Sequence, residues 1–263
     1  MRYFAILVFT LLGSVLISCT DENVQEKFEQ SRFQRHVCVM EFTGTWCSQC
    51  PEGAITLNYL VGKAYKGQAF ALAFHNNDVY SIPAEAELFR IFKWEGYPAY
   101  VTDMRDVGQM NEGTCGTSID RSLYDDKTHC GVAVSSVCSL SDRKINVTAR
   151  IFPEIAMNYS IAVYLVEDSV VGEQLMSTGT VQSDYTHRHV VRAMLTSDVK
   201  GDDLGLLSAE EETLRNYTVI AEEDWEISDL YVAVLAIDKD GHVNNMAYCK
   251  ADGGTMDYKY VNN

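Results

Sequence analysis

Positive charge is what this 263-residue chain has least of: 21 Lys and Arg stand against 37 Asp and Glu, a formal net charge of −16. That balance argues against nucleic acid or an anionic lipid surface as a partner held by charge. Proline is scarce at 4 residues and 47% of the chain is hydrophobic, the composition of a folded soluble body. Long apolar runs are missing beyond the first twenty residues, so no second membrane segment is expected. There is no Gly-rich phosphate loop, no Ser-His-Asp spacing, no repeat and no low-complexity tract. Nucleotides, organic cofactors and hydrolytic chemistry therefore find no support.

What is present begins with a targeting segment. Arg2 precedes an uncharged apolar run over residues 3–17, too short for a comfortable span and placed where a secretory leader belongs. It ends Leu16-Ile17-Ser18-Cys19, which resembles the lipobox of bacterial lipoproteins. The resemblance implies cleavage after residue 18 and acylation of Cys19, with enough acyl chains to anchor stably. Residues 19–35 are then expected to be a polar, lipidated tether.

The centre of the sequence is residues 37–51. An apolar run of strand character ends in Gly44-Thr45-Trp46, and Cys47-Ser48-Gln49-Cys50-Pro51 follows, opening a segment of helical spacing (Ile55, Leu57, Leu60, Val61, Ala64). Cys-x-x-Cys between a strand and a helix reads as a dithiol redox site. At a helix start the N–H groups and the dipole favour a thiolate, so Cys47 is expected to be the accessible nucleophile and Cys50 the resolving thiol. A second short-spaced Cys pair, which a zinc site needs, is lacking, and no metal is expected. Trp46 directly before Cys47 strengthens a resemblance to the thioredoxin active site. That resemblance implies two further roles. Glu41, six residues before Cys47, would lie beneath Cys50 and take its proton. Pro98, in Gly96-Tyr97-Pro98-Ala99, would be a cis-proline facing the disulfide, so that Trp46, Tyr97 and Pro98 shape a substrate groove.

Residues 69–75 form a short apolar run suited to a buried parallel strand beside 37–43. A helix is expected over 83–92, and a closing helix over 117–127 after a turn marked by Gly113 and Gly116. After Gly131 the texture changes. Residues 144–151 alternate strictly, and similar runs fall at 132–138, 159–166, 187–194, 217–221, 230–237 and 243–249, with 198–213 left as a loop. Seven short strands suggest an antiparallel sandwich. The expected architecture is α/β plus all-β: a thioredoxin-like domain over 36–130 and an immunoglobulin-like β-sandwich over 131–263.

The second half carries another resemblance. Residues 167–174 (Glu-Asp-Ser-Val-Val-Gly-Glu-Gln) and 185–192 (Tyr-Thr-His-Arg-His-Val-Val-Arg) are similar to the Bacteroidetes lipoproteins named for the twenty-eight-kilodalton outer membrane protein. With the Gly-Thr-Trp-Cys run, the similarity spans the mature chain. It implies a lipidated outer-membrane location, and surface binding roles are those usually proposed for the family.

The remaining cysteines of an exported protein are expected to pair where geometry allows. Cys115–Cys130 and Cys138–Cys249 are the expected bridges, with Cys38 a buried thiol on the strand face opposite Glu41. His75 reads as a polar strand cap, and His187 and His189, two apart in one strand, as a surface or cross-strand pair rather than metal ligands. The leading function is thiol–disulfide exchange on the thiols or disulfides of exported proteins, with a membrane redox partner as electron source or sink. The rival is a non-enzymatic surface lipoprotein that binds a protein or host partner and keeps Cys47–Cys50 as a static disulfide.

Overall fold

The computed structural model describes residues 31–261. The leader, Cys19 and most of the expected tether lie outside the described residues. The protein is mostly β-sheet with few helices. In chain order the first half runs β1 (Val37–Thr43), α1 (Cys50–Tyr59) closed by a π-helical turn (Leu60–Ala64), β2 (Ala69–His75), α2 (Pro83–Phe92), β3 (Ala99–Thr102), β4 (Asp106–Gln109) and α3 (Glu112–Tyr124). The second half adds β5 (Cys130–Ser139), β6 (Lys144–Pro153), β7 (Met157–Glu167), β8 (Val170–Leu175), β9 (Val181–His187), β10 (Val190–Met194), β11 (Asp202–Leu207), β12 (Thr213–Ile220), β13 (Leu230–Ile237), β14 (Val243–Lys250) and β15 (Thr255–Met256).

One nine-stranded sheet runs through both halves in the order β14-β13-β7-β10-β2-β1-β3-β4, with β11 paired to β7. β1 and β2 are buried along their whole length and pair in parallel, Val37 opposite Ala69 through Thr43 opposite His75. Their unbroken apolar runs fit strands covered on both faces. Even-numbered side chains of β1 (Cys38, Met40, Phe42) pack with Leu72, Phe74, Leu88 of α2 and Trp94. Odd-numbered ones (Val37, Val39) pack with Leu57 and Leu60 at the α1 side and Ile119 of α3. Cys38 is thus a buried thiol on the face opposite Glu41, as the period of two requires.

A four-stranded sheet, β12-β6-β5-β15, packs on the second half of the large sheet, with Ile145, Val147 and Ile151 meeting Val163, Leu165, Val232 and Val234. This is a two-sheet sandwich. Its larger sheet is not its own, because β10 enters the first half's sheet, pairing parallel with β2 and antiparallel with β7. The sandwich expected over 131–263 therefore shares one sheet with the preceding 36–130 segment. Alternation marks a strand's faces but not its hydrogen-bonded neighbour.

Several local expectations are corrected. Residues 198–213 hold β11 (Asp-Asp-Leu-Gly-Leu-Leu), whose pairing with β7 is set by main-chain bonds and whose residues show no strict alternation. Residues 170–175, which likewise do not alternate, form β8. α3 begins at Glu112, five residues early: the Asn111 side chain caps it by accepting from the Thr114 N–H, so Gly113 and Gly116 lie inside the helix. Ile55 and Ala64 point to solvent, because the buried face of α1 runs through Cys50, Gly53 and Leu57 and the chain then widens into the π turn. Residues 31–35 are docked rather than loose. Phe33 is buried, and the Arg35 guanidinium donates to Asp103 at 2.8 Å and to the carbonyl of Asn244.

Candidate redox site

β1 carries the site's residues to the end of the large sheet. Beyond Thr43 the chain turns through Gly44, where an added Cβ would come within 2.7 Å of the Trp46 indole nitrogen. Glycine there lets the indole fold back, and its N–H donates to the carbonyl of Asn76 at 2.7 Å. The Trp46 ring is 44% exposed and meets Tyr97 edge-on at 5.4 Å. Glu85, buried on α2, fixes the pair: it accepts from the Tyr97 hydroxyl at 2.6 Å and from the Asn76 amide at 2.9 Å. Glu85 was not anticipated, since nothing in the sequence ties it to Trp46.

Cys47 and Cys50 are joined by a disulfide. The helix starts at Cys50, with Gln49 as its N-cap, so Cys47 sits in the preceding turn rather than capping the helix; its carbonyl accepts from the Cys50 N–H. Cys47 is 6% exposed and Cys50 1%. The order of exposure is the expected one, but Cys47 is far more covered than a free nucleophile, and the β8–β9 hairpin is bonded to the turn that carries it. Leu175 of β8 donates its N–H to the carbonyl of Thr45 at 2.8 Å, and the Gln174 amide donates to the carbonyl of Cys47 at 3.0 Å.

The Tyr97–Pro98 bond is cis. Pro98 rests on α1 at Gly53, where an added Cβ would lie 2.7 Å from the proline ring and 3.1 Å from Glu41 Oε1. Glu41 is 2% exposed, and its Oε1 has no hydrogen-bond partner. Burial pushes its carboxyl up to about 8. Glu41 and Cys50 line one small chamber together with His75, Gln174, Tyr185 and His187, with about 20 Å³ of room for water centres.

The histidines change character in the structure. His75 is buried at the end of β2, and its Nδ1 lies 2.7 Å from Asp78 Oδ2. Burial opposes the Asp78 charge, but His75 and the N–H groups of Thr45 and Tyr80 outweigh it and hold this carboxyl below its ordinary range. The parallel register that sets Thr43 beside His75 was the available signal. His187 is buried with its ring 5.2 Å from that of His75; burial first, then His75, pull it down to about 4. His189 has a positive φ of 57° and ends the run between β9 and β10, so the two do not share a strand face. Among the described residues, no group of three or more His, Cys, Asp or Glu is placed to hold a metal ion.

The two further bridges are not formed: Cys115, Cys130, Cys138 and Cys249 are free thiols. Cys115 packs under α3 with Val37 and Leu57, whereas Cys130 lies in the core of the sandwich, so the two thiols belong to different packing clusters. Cys249 sits beside Ser136, at 3.7 Å from its hydroxyl, two residues along β5 from Cys138.

Among the described residues, no helix is long and apolar enough to cross a membrane. Among curated proteins, none is a significant sequence match. Of solved structures, HBP35 of Porphyromonas gingivalis is similar with a TM-score of 0.70 at 19% identity, over 85% of this chain and 77% of that one, a likeness of fold. A domain of the outer membrane lipoprotein Omp28 from Porphyromonas gingivalis aligns with a TM-score of 0.34 at 15% identity, over 48% of this chain and 89% of that one. The family profile of outer membrane protein Omp28 matches residues 85–252, well over half the chain and all of it downstream of Cys50. The chain belongs to the Omp28 family of outer membrane proteins.

Proposed function

We propose that the protein is a lipid-anchored thiol–disulfide oxidoreductase of the outer membrane whose first half is thioredoxin-like and acts on exported proteins. One observation carries the reading: a buried carboxyl whose Oε1 has no hydrogen-bond partner, Glu41, shares a small chamber with Cys50. A carboxyl in that setting is costly to the fold unless it handles a proton. In the reduced protein the Cys47 thiolate attacks a substrate disulfide, forming a mixed disulfide and releasing one substrate thiolate. Glu41 then takes the proton of Cys50, and the Cys50 sulfur attacks Cys47. The protein's disulfide forms, and the second substrate sulfur leaves with the electron pair. Run backwards, the same steps oxidise a substrate dithiol. Trp46, Tyr97 and Pro98 present an aromatic and apolar wall beside Cys47 for the substrate chain.

A second reading has its own support. Cys47 is buried in a turn bonded to the hairpin, and the family match begins downstream of the dithiol, which suits a binding lipoprotein with a structural disulfide. The full chain expressed in cells separates the two. Cys50→Ser is expected to accumulate reducible adducts on Cys47, and Cys47→Ser few or none. Absence of adducts, together with no insulin reduction by wild type, leaves the binding reading. Anchorage through Cys19 is tested separately: Cys19→Ser is expected to move the protein from the detergent to the aqueous phase, and a wild type already in the aqueous phase removes the lipid from the account.

A further inference from the structure

A buried acid that accepts a proton from Cys50 must lose it again before the next turnover, and Glu41 has no surface of its own through which to do so. The chamber beside it has room for a water, which needs roughly 10–15 Å³. Across the chamber stands His75, whose Nδ1 is engaged by Asp78, leaving Nε2 as the nitrogen able to exchange a proton. Asp78 Oδ1 in turn accepts from the hydroxyl of the exposed residue Ser81 at 3.3 Å. Glu41 and His75 thus line one water-sized chamber, and His75, Asp78 and Ser81 form a hydrogen-bonded series from it to the surface.

We infer that His75, held by Asp78, is the proton exit of Glu41, and that the β8–β9 hairpin walls one side of the chamber through which the proton passes. This rests on the exchange reading above. In resolution the Cys50 S–H bond breaks and its proton goes to Glu41. The Cys47–Cys50 bond forms, the bond from Cys47 to the substrate breaks, and the substrate sulfur leaves as a thiolate. The proton on Glu41 then passes through the chamber water to His75 and out past Asp78. No oxidant beyond the substrate disulfide is required. His75 faces Asp78 and Tyr80 of its own loop, Glu41 of β1 and Cys50 of α1, with Tyr185 and His187 from β9 and Arg188 just beyond it. His187 does not take the role, because its Nε2 is committed to the carbonyl of Glu173 at 3.2 Å and no carboxylate is hydrogen-bonded to its ring. His75 alone of the two has a paired carboxylate to hold an imidazolium in transit.

His75 is thus a positioning and relay residue, not one that touches the sulfurs, and its test must read proton movement. In the full chain in detergent, the carboxyl infrared band that Glu41→Gln abolishes is followed after a pH jump on the oxidised protein. In parallel, the reduced protein is mixed with a dipyridyl disulfide, and attack by Cys47 is timed separately from resolution by Cys50. His75→Asn is expected to slow both the infrared relaxation and the resolution step about tenfold or more, a modest share of what general acid–base groups supply. Attack by Cys47 stays within about twofold, since that step moves no proton through Glu41. Asp78→Asn gives the same pattern and decides alone should His75→Asn fail to fold. Wild-type relaxation and wild-type resolution in a folded variant overturn the relay. A wild type that never reacts with the disulfide, while His75→Asn still slows relaxation, overturns the exchange reading and supports the proton path.

Discussion

Gln174 donates its side-chain amide to the carbonyl oxygen of Cys47 at 3.0 Å, across 127 residues of chain. The same amide donates to the carbonyl of Leu175 at 2.9 Å, so both of its protons are used and the residue is locked. The second half of the molecule thereby holds the Cys47–Cys50 turn from one side while α1 continues it on the other.

Breaking this link frees Cys47. Gln174→Ala removes a buried hydrogen bond and leaves its partner short of a donor, an effect of about 1–2 kcal/mol. The Cys50 N–H still reaches the Cys47 carbonyl, so the turn itself persists. After mild reduction, alkylation of Cys47 is expected to run several-fold faster in Gln174→Ala than in wild type. Equal rates, by quenched mass spectrometry, would show that the hairpin does not limit access.

Glu41 makes stability depend on pH in an unusual direction. Its carboxyl stands at about 8 in the folded protein against 4.5 for an ordinary glutamate, because burial disfavours the charge. The folded state therefore keeps a proton that the unfolded chain releases. The resulting stability is complete below about pH 4.5 and is lost as pH rises through 8, with a span of up to about 5 kcal/mol. Glu41→Gln is expected to flatten this slope, standing within about 1 kcal/mol of wild type near pH 5 and exceeding it by up to about 5 kcal/mol near pH 9. Urea unfolding of the oxidised proteins across that range reads the difference. A wild type whose stability does not fall over this interval contradicts the buried neutral acid.

Gly53 is where α1 touches the proline loop. Alanine is the better helix former by roughly 0.5–1 kcal/mol. Its Cβ would nevertheless press on Pro98 at 2.7 Å, and overpacking of this kind costs about 1–3 kcal/mol. Gly53→Ala is expected to lower stability by about 1–2 kcal/mol and to slow disulfide exchange by moving Pro98 away from the thiols. A stabilised variant with unchanged exchange, by denaturant titration and kinetics, counts against the packing account.

Among the described residues, thiol reactivity should follow burial. Burial raises Cys38 well above the ordinary thiol value and pushes Cys115 and Cys130 to about 12, so their reactive thiolates are rare at neutral pH. Cys138 alone of the free thiols is partly exposed. Native alkylation is expected to mark Cys138 first, with Cys47 joining after mild reduction and ahead of Cys50. Peptide mapping that finds Cys115–Cys130 or Cys138–Cys249 cross-linked would show that these four thiols are not free.

The sequence by itself determined what is local. The apolar run of β1 with a single acid in it, the Cys-x-x-Cys turn, the parallel partner at 69–75 and Pro83 at a helix start are all written in neighbouring residues, because burial on two faces and the φ of proline act within a few positions. The period of two alone put Cys38 and Glu41 on opposite faces. Partners across the fold were not written there. β10 joins β2 through a main-chain bond that any side chain permits, from Ala73 to the carbonyl of His189 at 2.7 Å. The β8–β9 strands carry mostly polar, exposed side chains, and their task is set by what they cover rather than by what they bury. His75 became part of the site only when the hairpin brought Tyr185 and His187 against it. Hydrophobic periodicity tells a residue which face is inside; only the tertiary structure decides which distant residue meets it there, since the bonds that make that choice are main-chain or singly polar and leave no pattern along the chain.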